Sequence, residues 1–285
     1  TKLINNIIII KNLKMKKSVT IIIVSFKSEK IIADSIKSFG KNHKIIIIEN
    51  SGNKQMKVNL EKKFQNVQVV LNKNNGFGQA ANLGVKKSKT EYVMFCSPDI
   101  SFKKDPIKEF LKHSKKLQNK LGALIPSDRE FKLQKIKKIE KPIAAPVIFI
   151  SKKNFKKIKG FDERIFLYFE DIDIINRIIK NKLCVYQLPL FFKHKYGSHN
   201  KLYSFEVEIN RNWHYMWSKF YFIKKNSNFS KALMNTFPTF VRSFIKLCFF
   251  YMFNTNKFLI YKARFLGLTN SYLNNKSWYR PKINK

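Results

Sequence analysis

Acidic residues are scarce in this chain. Its 285 residues include 18 aspartates and glutamates against 57 lysines and arginines, a formal net charge of +39 at pH 7. A surface this positive attracts anionic partners: nucleotides, anionic lipid headgroups or nucleic acid. Arginine is scarce too, so the charge is mainly lysine, spread along the chain with abundant isoleucine and asparagine rather than gathered in one patch. Cysteine is nearly absent. Cys96, Cys184 and Cys248 are odd in number, far apart and in no CxxC pair. That argues against a disulfide framework, favours a reducing compartment and leaves them as small buried apolar residues. Long apolar runs are missing as well: residues 7–10 and the charge-free piece 247–255 are both too short to span a bilayer, and 7–10 is also a poor signal peptide. There is no internal repeat and no low-complexity linker. The 44% hydrophobic content is nevertheless enough for a sizeable core, which excludes a disordered tail.

Against that background the few acids cluster. Residues 160–180 (GFDERIFLYFEDIDIINRIIK) hold Asp162, Glu163, Glu170, Asp171 and Asp173. Ile174, Ile175, Ile178 and Ile179 then recur at helical spacing. The pattern predicts a loop that carries carboxylates into the first turn of a helix with a buried face. It reads in two ways: acids placed at the positive end of a helix dipole, or a general base at the mouth of a cleft.

Taken in order, the chain alternates strand and helix. The β-branched run Val19–Ser25 predicts a buried parallel strand, and residues 29–39 a helix. Strands at 44–48 and Val67–Leu71 flank a helix at 54–64. This β-α-β-α-β order implies a parallel sheet with right-handed crossovers. Ligands of such sheets sit at the carboxyl ends of the strands. Ser25, Phe26, Glu49, Asn50 and residues 72–78 therefore belong to the binding edge. Gly76 and Gly78 open a helix expected from about Gln79, a turn that can cradle phosphate, with Asn82 on the helix. Tyr92–Cys96 is a fourth strand and runs into Ser97-Pro98-Asp99, where Asp99 is either a turn residue or a ligand for a hard divalent cation. A helix at 105–117, a strand at 121–125, a lysine-rich surface loop over the cleft at 127–141, a strand at 143–151, a short helix at 154–158 and a strand at 183–188 follow. From Tyr203 aromatic and basic residues dominate, as in RNWHYMWSKFYFIKK. Helices of that kind suit either a membrane surface or packing on the preceding domain.

The ordered set VSF (24–26), ENSG (49–52), NNGFGQAANLG (74–84), SPD (97–99), GFDE with FLYFEDIDIINR (160–177) and HKYGS (194–198) resembles the family-two inverting glycosyltransferases. The nearest branch is the rhamnosyltransferase-like one that builds bacterial cell-surface polysaccharides. The resemblance implies an α/β GT-A (Rossmann-like) fold, a mixed but mainly parallel sheet flanked by helices. It divides the chain into an extension at 1–17, a transferase domain at 18–202 and a helical basic-aromatic region at 203–285. It further implies transfer of a sugar from a nucleotide-diphosphate donor, dTDP-rhamnose or a UDP-sugar, to a hydroxyl of a polysaccharide or lipid-linked glycan. The resemblance assigns Asp171 as general base with Glu170 beside it, and Ser25, Phe26, Glu49, Asn75, Gly76, Gly78, Asn82 and Asp99 to the nucleotide-sugar. It assigns Asp162, Glu163 and Arg177 to the acceptor, and Asp99 with His194 to a Mn2+ or Mg2+ ion. Two departures stand out: Glu49 where aspartate is usual, and Ser97 where the Asp-x-Asp metal motif has its first acid. The expected location is the cytoplasm, peripheral at the inner face of the membrane, with no specific nucleic-acid partner. The competing readings are a nucleic-acid-binding protein, motivated by the charge, and a catalytically degenerate membrane-associated scaffold, motivated by Ser97.

Overall fold

The computed structural model describes residues 19–117, 120–127, 134–194 and 205–280. The extension at 1–17 and residues 195–198 of the HKYGS motif lie outside the described residues. The first half is a run of parallel strands. β1 (Val19–Ser25) pairs with β2 (Lys44–Glu49) on one side and β4 (Tyr92–Cys96) on the other, and β2 pairs with β3 (Val67–Leu71). The register sets Ser25 beside Glu49 and Glu49 beside Leu71, so the loops that follow these strands gather at one edge. Between the strands run α1 (Ile32–Ser38), α2 (Lys54–Lys63) and α3 (Phe77–Lys87).

The second half adds strands of both directions. β8 (Val147–Ser151) lies antiparallel to both β4 and β6 (Leu121–Ser127). β6 runs parallel to β9 (Cys184–His194), whose far side takes β5 (Ile100–Phe102) and β7 (Lys137–Ile139). Four expectations need correction here. The lysine-rich stretch 127–141 is not wholly loop, because Lys137–Ile139 hydrogen-bonds to β9. The last strand does not stop at Leu188: a register irregularity opposite Pro126 and Ser127 absorbs Pro189, and the strand continues to His194. The strand expected at 143–151 begins only at Val147, and the helix expected near Gln79 begins at Phe77.

Alternation along the strands builds two cores. Val19, Ile21 and Ile23 of β1 face Ile32 and Ile36 of α1, Met56 and Leu60 of α2, and Phe110 of α4 (Ile107–Lys116). Ile22 faces the other way, with Ala81 of α3, Phe155 of α5 (Lys152–Lys157) and Ile174, Ile175 and Ile178 of α6 (Glu170–Lys180). The result is three layers, helices on both faces of one sheet. Gly84 lets α3 approach β1, since a Cβ there would come within 2.5 Å of Ile22 Cγ2.

The remaining residues form α7 (Phe205–Asn226), α8 (Phe229–Phe253) and α9 (Thr255–Tyr272), packed on one another around Met216, Phe220, Ala232 and Leu268. Among the described residues no helix is long and apolar enough to cross a membrane. Of the three cysteines only Cys96 is buried; Cys248 is exposed on α8, against the expectation that all three are core residues.

Candidate functional site

The carboxyl ends of β1, β2 and β4 open into a cavity of about 570 Å³. Phe26 and Ser28 after β1, Asn50 after β2, Asn74, Gly76 and Phe77 at the start of α3 and Ser97 to Asp99 after β4 form one side. Ala144 and Pro146, just before β8, form the floor. Phe166 to Tyr168 and Asp171 close another side, with His194 at the end of β9. Of the residues singled out by sequence, the fold thus brings together Phe26, Gly76, Asp99, Asp171 and His194.

Gly76 has φ +101°, a conformation that side chains resist, and a Cβ there would lie 2.6 Å from the Phe166 carbonyl oxygen. The close approach allows the Phe77 N–H to donate to that carbonyl at 3.0 Å. The glycine turn and the 160–169 loop are therefore joined directly across the cavity.

Asp171 sits in the first turn of α6. Its carboxylate accepts from the N–H groups of Ala145 and Ile172, each at 2.8 Å. The first bond orients it against the cavity floor, and the second satisfies one N–H of the helix's first turn. Desolvation pushes its pKa up, opposed by those backbone donors. Glu170, beside it, does not line the cavity. Burial, and then the neighbouring Asp171, push its carboxyl up to about 8, and its Oε2 finds no hydrogen-bond partner among the described residues. Two neighbouring carboxyls do not both ionise readily, and burial raises both.

The chain enters α6 through Tyr168 and Phe169, both left-handed at φ +67° and +69°. Such backbone is strained, by roughly 1–3 kcal/mol per residue, and persists only where the surroundings hold it. Here α7 holds it. Arg211 Nε donates to the Tyr168 hydroxyl at 2.6 Å, Ser218 Oγ donates to the Leu167 carbonyl at 2.8 Å, and Phe169 packs against Tyr215 and Phe222.

Asp99, in the turn between β4 and β5, and His194, at the end of β9, meet at 3.0 Å, Oδ2 to Nε2. A carboxylate oxygen facing an imidazole nitrogen is a suitable donor pair for Mn2+ or Mg2+. No third His, Cys, Asp or Glu joins them in a ligand group among the described residues. The pair fits an ion whose other positions come from diphosphate and water.

The other predicted residues lie outside the cavity wall. Ser25 is buried, its hydroxyl 4.0 Å from Met56 Sδ. The Glu49 carboxylate turns back on its own loop, accepting from the Ser51 N–H at 2.9 Å, the Ser51 hydroxyl at 2.6 Å and the Asn53 N–H at 2.8 Å. Asn75 is exposed, and Gly78 is buried against Phe161. Asn82 staples α3 to the acidic loop, donating to the Phe161 carbonyl at 3.1 Å and to Glu163 at 2.8 Å while accepting from the Phe161 N–H at 3.0 Å. Asp162 accepts from Arg164, Tyr221 and Lys225; burial works to raise its pKa, but those hydrogen bonds outweigh it and hold the carboxyl well below the usual range. Arg177 binds Asp173 at 2.8 Å and donates to the Ile158 carbonyl.

Sequence reasoning missed the wall that α7 supplies: Val207, Asn210 and Arg211. Asn210 is buried, and its Oδ1 finds no hydrogen-bond partner among the described residues. The one signal available was the adjacent polar pair Asn210 and Arg211 on a helix rich in aromatic residues.

The model of the family described as Glycosyl transferase family 2 matches residues 20–169, over half of the chain. The chain belongs to glycosyl transferase family 2. Among solved structures, this glycosyltransferase is similar to S. aureus TarS 1-349, at a TM-score of 0.53 and 12% identity over 92% of this chain and 93% of that one. It is similar to the mannosyltransferase PcManGT from Pyrobaculum calidifontis, solved with GDP-Man and Mn2+, at 0.52 and 12% over 90% and 87%. It spans 39% of a longer TarS structure, at 14% identity and a TM-score of 0.49. A search of curated proteins returns no match. The two likenesses above 0.5 establish the GT-A fold. The family match establishes glycosyl transfer as the class of activity.

Proposed function

We propose that this glycosyltransferase inverts the anomeric centre, moving a sugar from a nucleoside diphosphate, dTDP-rhamnose or a UDP-sugar, to a hydroxyl of a cell-surface polysaccharide or lipid-linked glycan. One observation carries the reading: Asp171, oriented by the Ala145 N–H, shares a cavity with Asp99, His194 and the Gly76 turn. The acceptor hydroxyl attacks the anomeric carbon. Its oxygen forms the new glycosidic bond, its proton passes to the Asp171 carboxylate, and the bond to the donor phosphate breaks with its electron pair leaving on the nucleoside diphosphate.

The chain's own residues divide the work. Asp171 takes the proton in its ionised form, while neighbouring Glu170, held protonated by burial and by the Asp171 charge, adds no second negative charge. Phe26 and Asn50 face the nucleotide, and Glu49 braces the turn that presents Asn50. The glycine turn and the N-terminus of α3 receive the diphosphate. Asn210 offers its carboxamide to a sugar hydroxyl in the same cavity. Asp162, Glu163 and Arg177 act on the acceptor indirectly, by fixing the loop that carries Phe166 to Phe169. Asp99 and His194 would hold a Mn2+ or Mg2+ ion, which when bound offsets the charge that builds on the leaving diphosphate.

The test is Asp171→Asn in the full chain, with donor binding and turnover measured separately. The amide keeps the shape and one acceptor oxygen but cannot take a proton. Nucleotide binding is expected to survive while transfer falls at least about 100-fold. Turnover near that of the unsubstituted enzyme would remove Asp171 from the reaction.

A further inference from the structure

We propose that the outer face of α8 docks this glycosyltransferase on an anionic lipid surface. Along that helix Met234, Phe237, Phe244, Ile245, Phe249 and Met252 recur at helical spacing, and each is between 49% and 80% exposed. They are not the residues that hold the fold. Ala232, Thr236 and Ser243 are buried on the opposite side, where Phe240 stacks on Phe265 at 4.6 Å and Phe250 on Tyr261 at 5.6 Å, tying α8 to α9. The apolar stripe therefore exists in addition to the core. It widens at the α8–α9 turn, where Tyr251 and Phe253 are 74% and 69% exposed. Apolar surface on this scale marks an interaction face.

Charge names the occupant. Glu208 is the last acid of the sequence, and every ionisable side chain from 209 to 285 that carries charge at neutral pH is a lysine or arginine. Arg242 and Lys246 lie on α8 itself, and Lys257 and Lys262 on α9 packed beside it. Lys246 lies over the Tyr261 ring at 5.0 Å and Lys257 over the Phe250 ring at 5.1 Å, both on the α8–α9 seam, and Phe250 meets Phe249 of the stripe at 5.1 Å, so these cations border the stripe along that seam. A helix with apolar side chains on one side and bordering cations lies in the plane of a lipid interface, aliphatic tips among the acyl chains and ammonium groups at the phosphates. Arg242 and Lys246 near the middle of the helix suit that orientation and oppose a crossing one. A second copy is the weaker occupant, because it would press one acid-free face against another in a protein that already carries +39.

The experiment is co-sedimentation of the full chain with two vesicle types, pure phosphatidylcholine and phosphatidylcholine with about a quarter phosphatidylglycerol. Binding to the anionic vesicles is expected to be at least about tenfold tighter and to weaken as salt rises. Phe249→Glu combined with Met252→Glu is expected to reduce it at least about tenfold. Both side chains are exposed, so the melting temperature stays near that of the unsubstituted chain. Lys246→Gln with Lys257→Gln is expected to lower binding to the anionic vesicles alone. Nucleotide binding, measured alongside, should be unchanged in both variants, which separates this face from the cavity. Equal or negligible binding to the two vesicle types would overturn the proposal. So would glutamate variants that bind like the unsubstituted chain, or a dimer in sedimentation velocity that those variants dissolve.

Discussion

The Nζ of Lys225 lies 2.8 Å from a carboxylate oxygen of Asp162. The same ammonium reaches Asp173 at 2.6 Å. It thus ties α7 to both the start of the acidic loop and the helix that carries Asp171. The Asp173 side chain is fully buried and that of Asp162 nearly so. Removing the cation leaves two dry carboxylates short of a partner, although Arg164 and Arg177 remain. Lys225→Met is therefore expected to cost about 3 kcal/mol, at the low end for a broken buried pair. Urea unfolding measures it. The acid limb supplies a second check. The folded Asp162 pKa is depressed, so its contribution is complete above the unfolded value of about 3.9 and lost as pH falls toward the folded one. In Lys225→Met the depression shrinks and with it the stability gained above pH 4. Equal urea midpoints for the two proteins would reject the linkage.

Glu170 predicts the opposite pH dependence. Its folded pKa is raised, from an ordinary 4.5 to about 8, first by burial and then by Asp171. A raised carboxyl favours the folded state fully below its unfolded pKa, and that advantage disappears as pH rises through the folded value. The enzyme should lose stability steadily between about pH 5 and pH 8, and Glu170→Gln should flatten that slope. The acid limb of the transfer rate, which the proposed base Asp171 would set, should stay where it is. An unchanged stability slope in the glutamine variant would show that Glu170 is not the titrating group.

The Asp99 and His194 pair can be tested through binding, without turnover. A nucleotide that binds the native state raises its apparent stability, by about 2.7 kcal/mol at a hundred times its Kd. With UDP, dTDP and GDP each offered with and without Mn2+ or Mg2+, the expectation is one nucleotide whose stabilisation grows with the ion. Asp99→Ala and His194→Ala should each remove most of that increment and leave the metal-free part. Both variants keeping the full increment would place the ion elsewhere.

What was legible in the sequence follows from how local each signal is. The runs of isoleucine and valine fixed β1 to β3 because a strand buried on both faces shows itself in its own composition. The carboxyl-edge rule grouped Ser25, Phe26, Glu49, Asn50 and residues 72–78, since strand order determines which loops meet, and of these Phe26, Asn50, Asn74, Gly76 and Phe77 line the cavity. Pro189 hid the end of β9 because proline supplies no N–H, and the irregular pairing that accommodates it depends on β6, a distant partner. Tyr168 and Phe169 gave no hint of left-handed backbone, because the restraint comes from Arg211, Tyr215 and Phe222 on α7. Asn210 was missed for the same reason: its place in the cavity is a product of helix packing. The roles read for Glu49 and Asn82 followed the motif, whereas their hydrogen bonds run to their own loop and to Phe161 and Glu163.

Gly76 offers the sharpest separation of backbone strain from site geometry. Alanine there meets two obstacles: φ of +101°, and the Phe166 backbone at 2.6 Å from the new Cβ. Backbone cannot swing aside like the end of a flexible side chain, so either the α3 turn or the 166 loop must move. The expected cost is roughly 1–3 kcal/mol of stability. Because both segments line the cavity, nucleotide affinity should fall as well, by at least about tenfold. Gly40 is the control. It has φ +65° but no atom within 4 Å of where a Cβ would stand, so Gly40→Ala bears only the conformational cost, about 1 kcal/mol, with affinity unchanged. If the two variants lose stability alike and Gly76→Ala still binds nucleotide normally, the contact with Phe166 is not what shapes the donor site, and the diphosphate is received elsewhere on the edge.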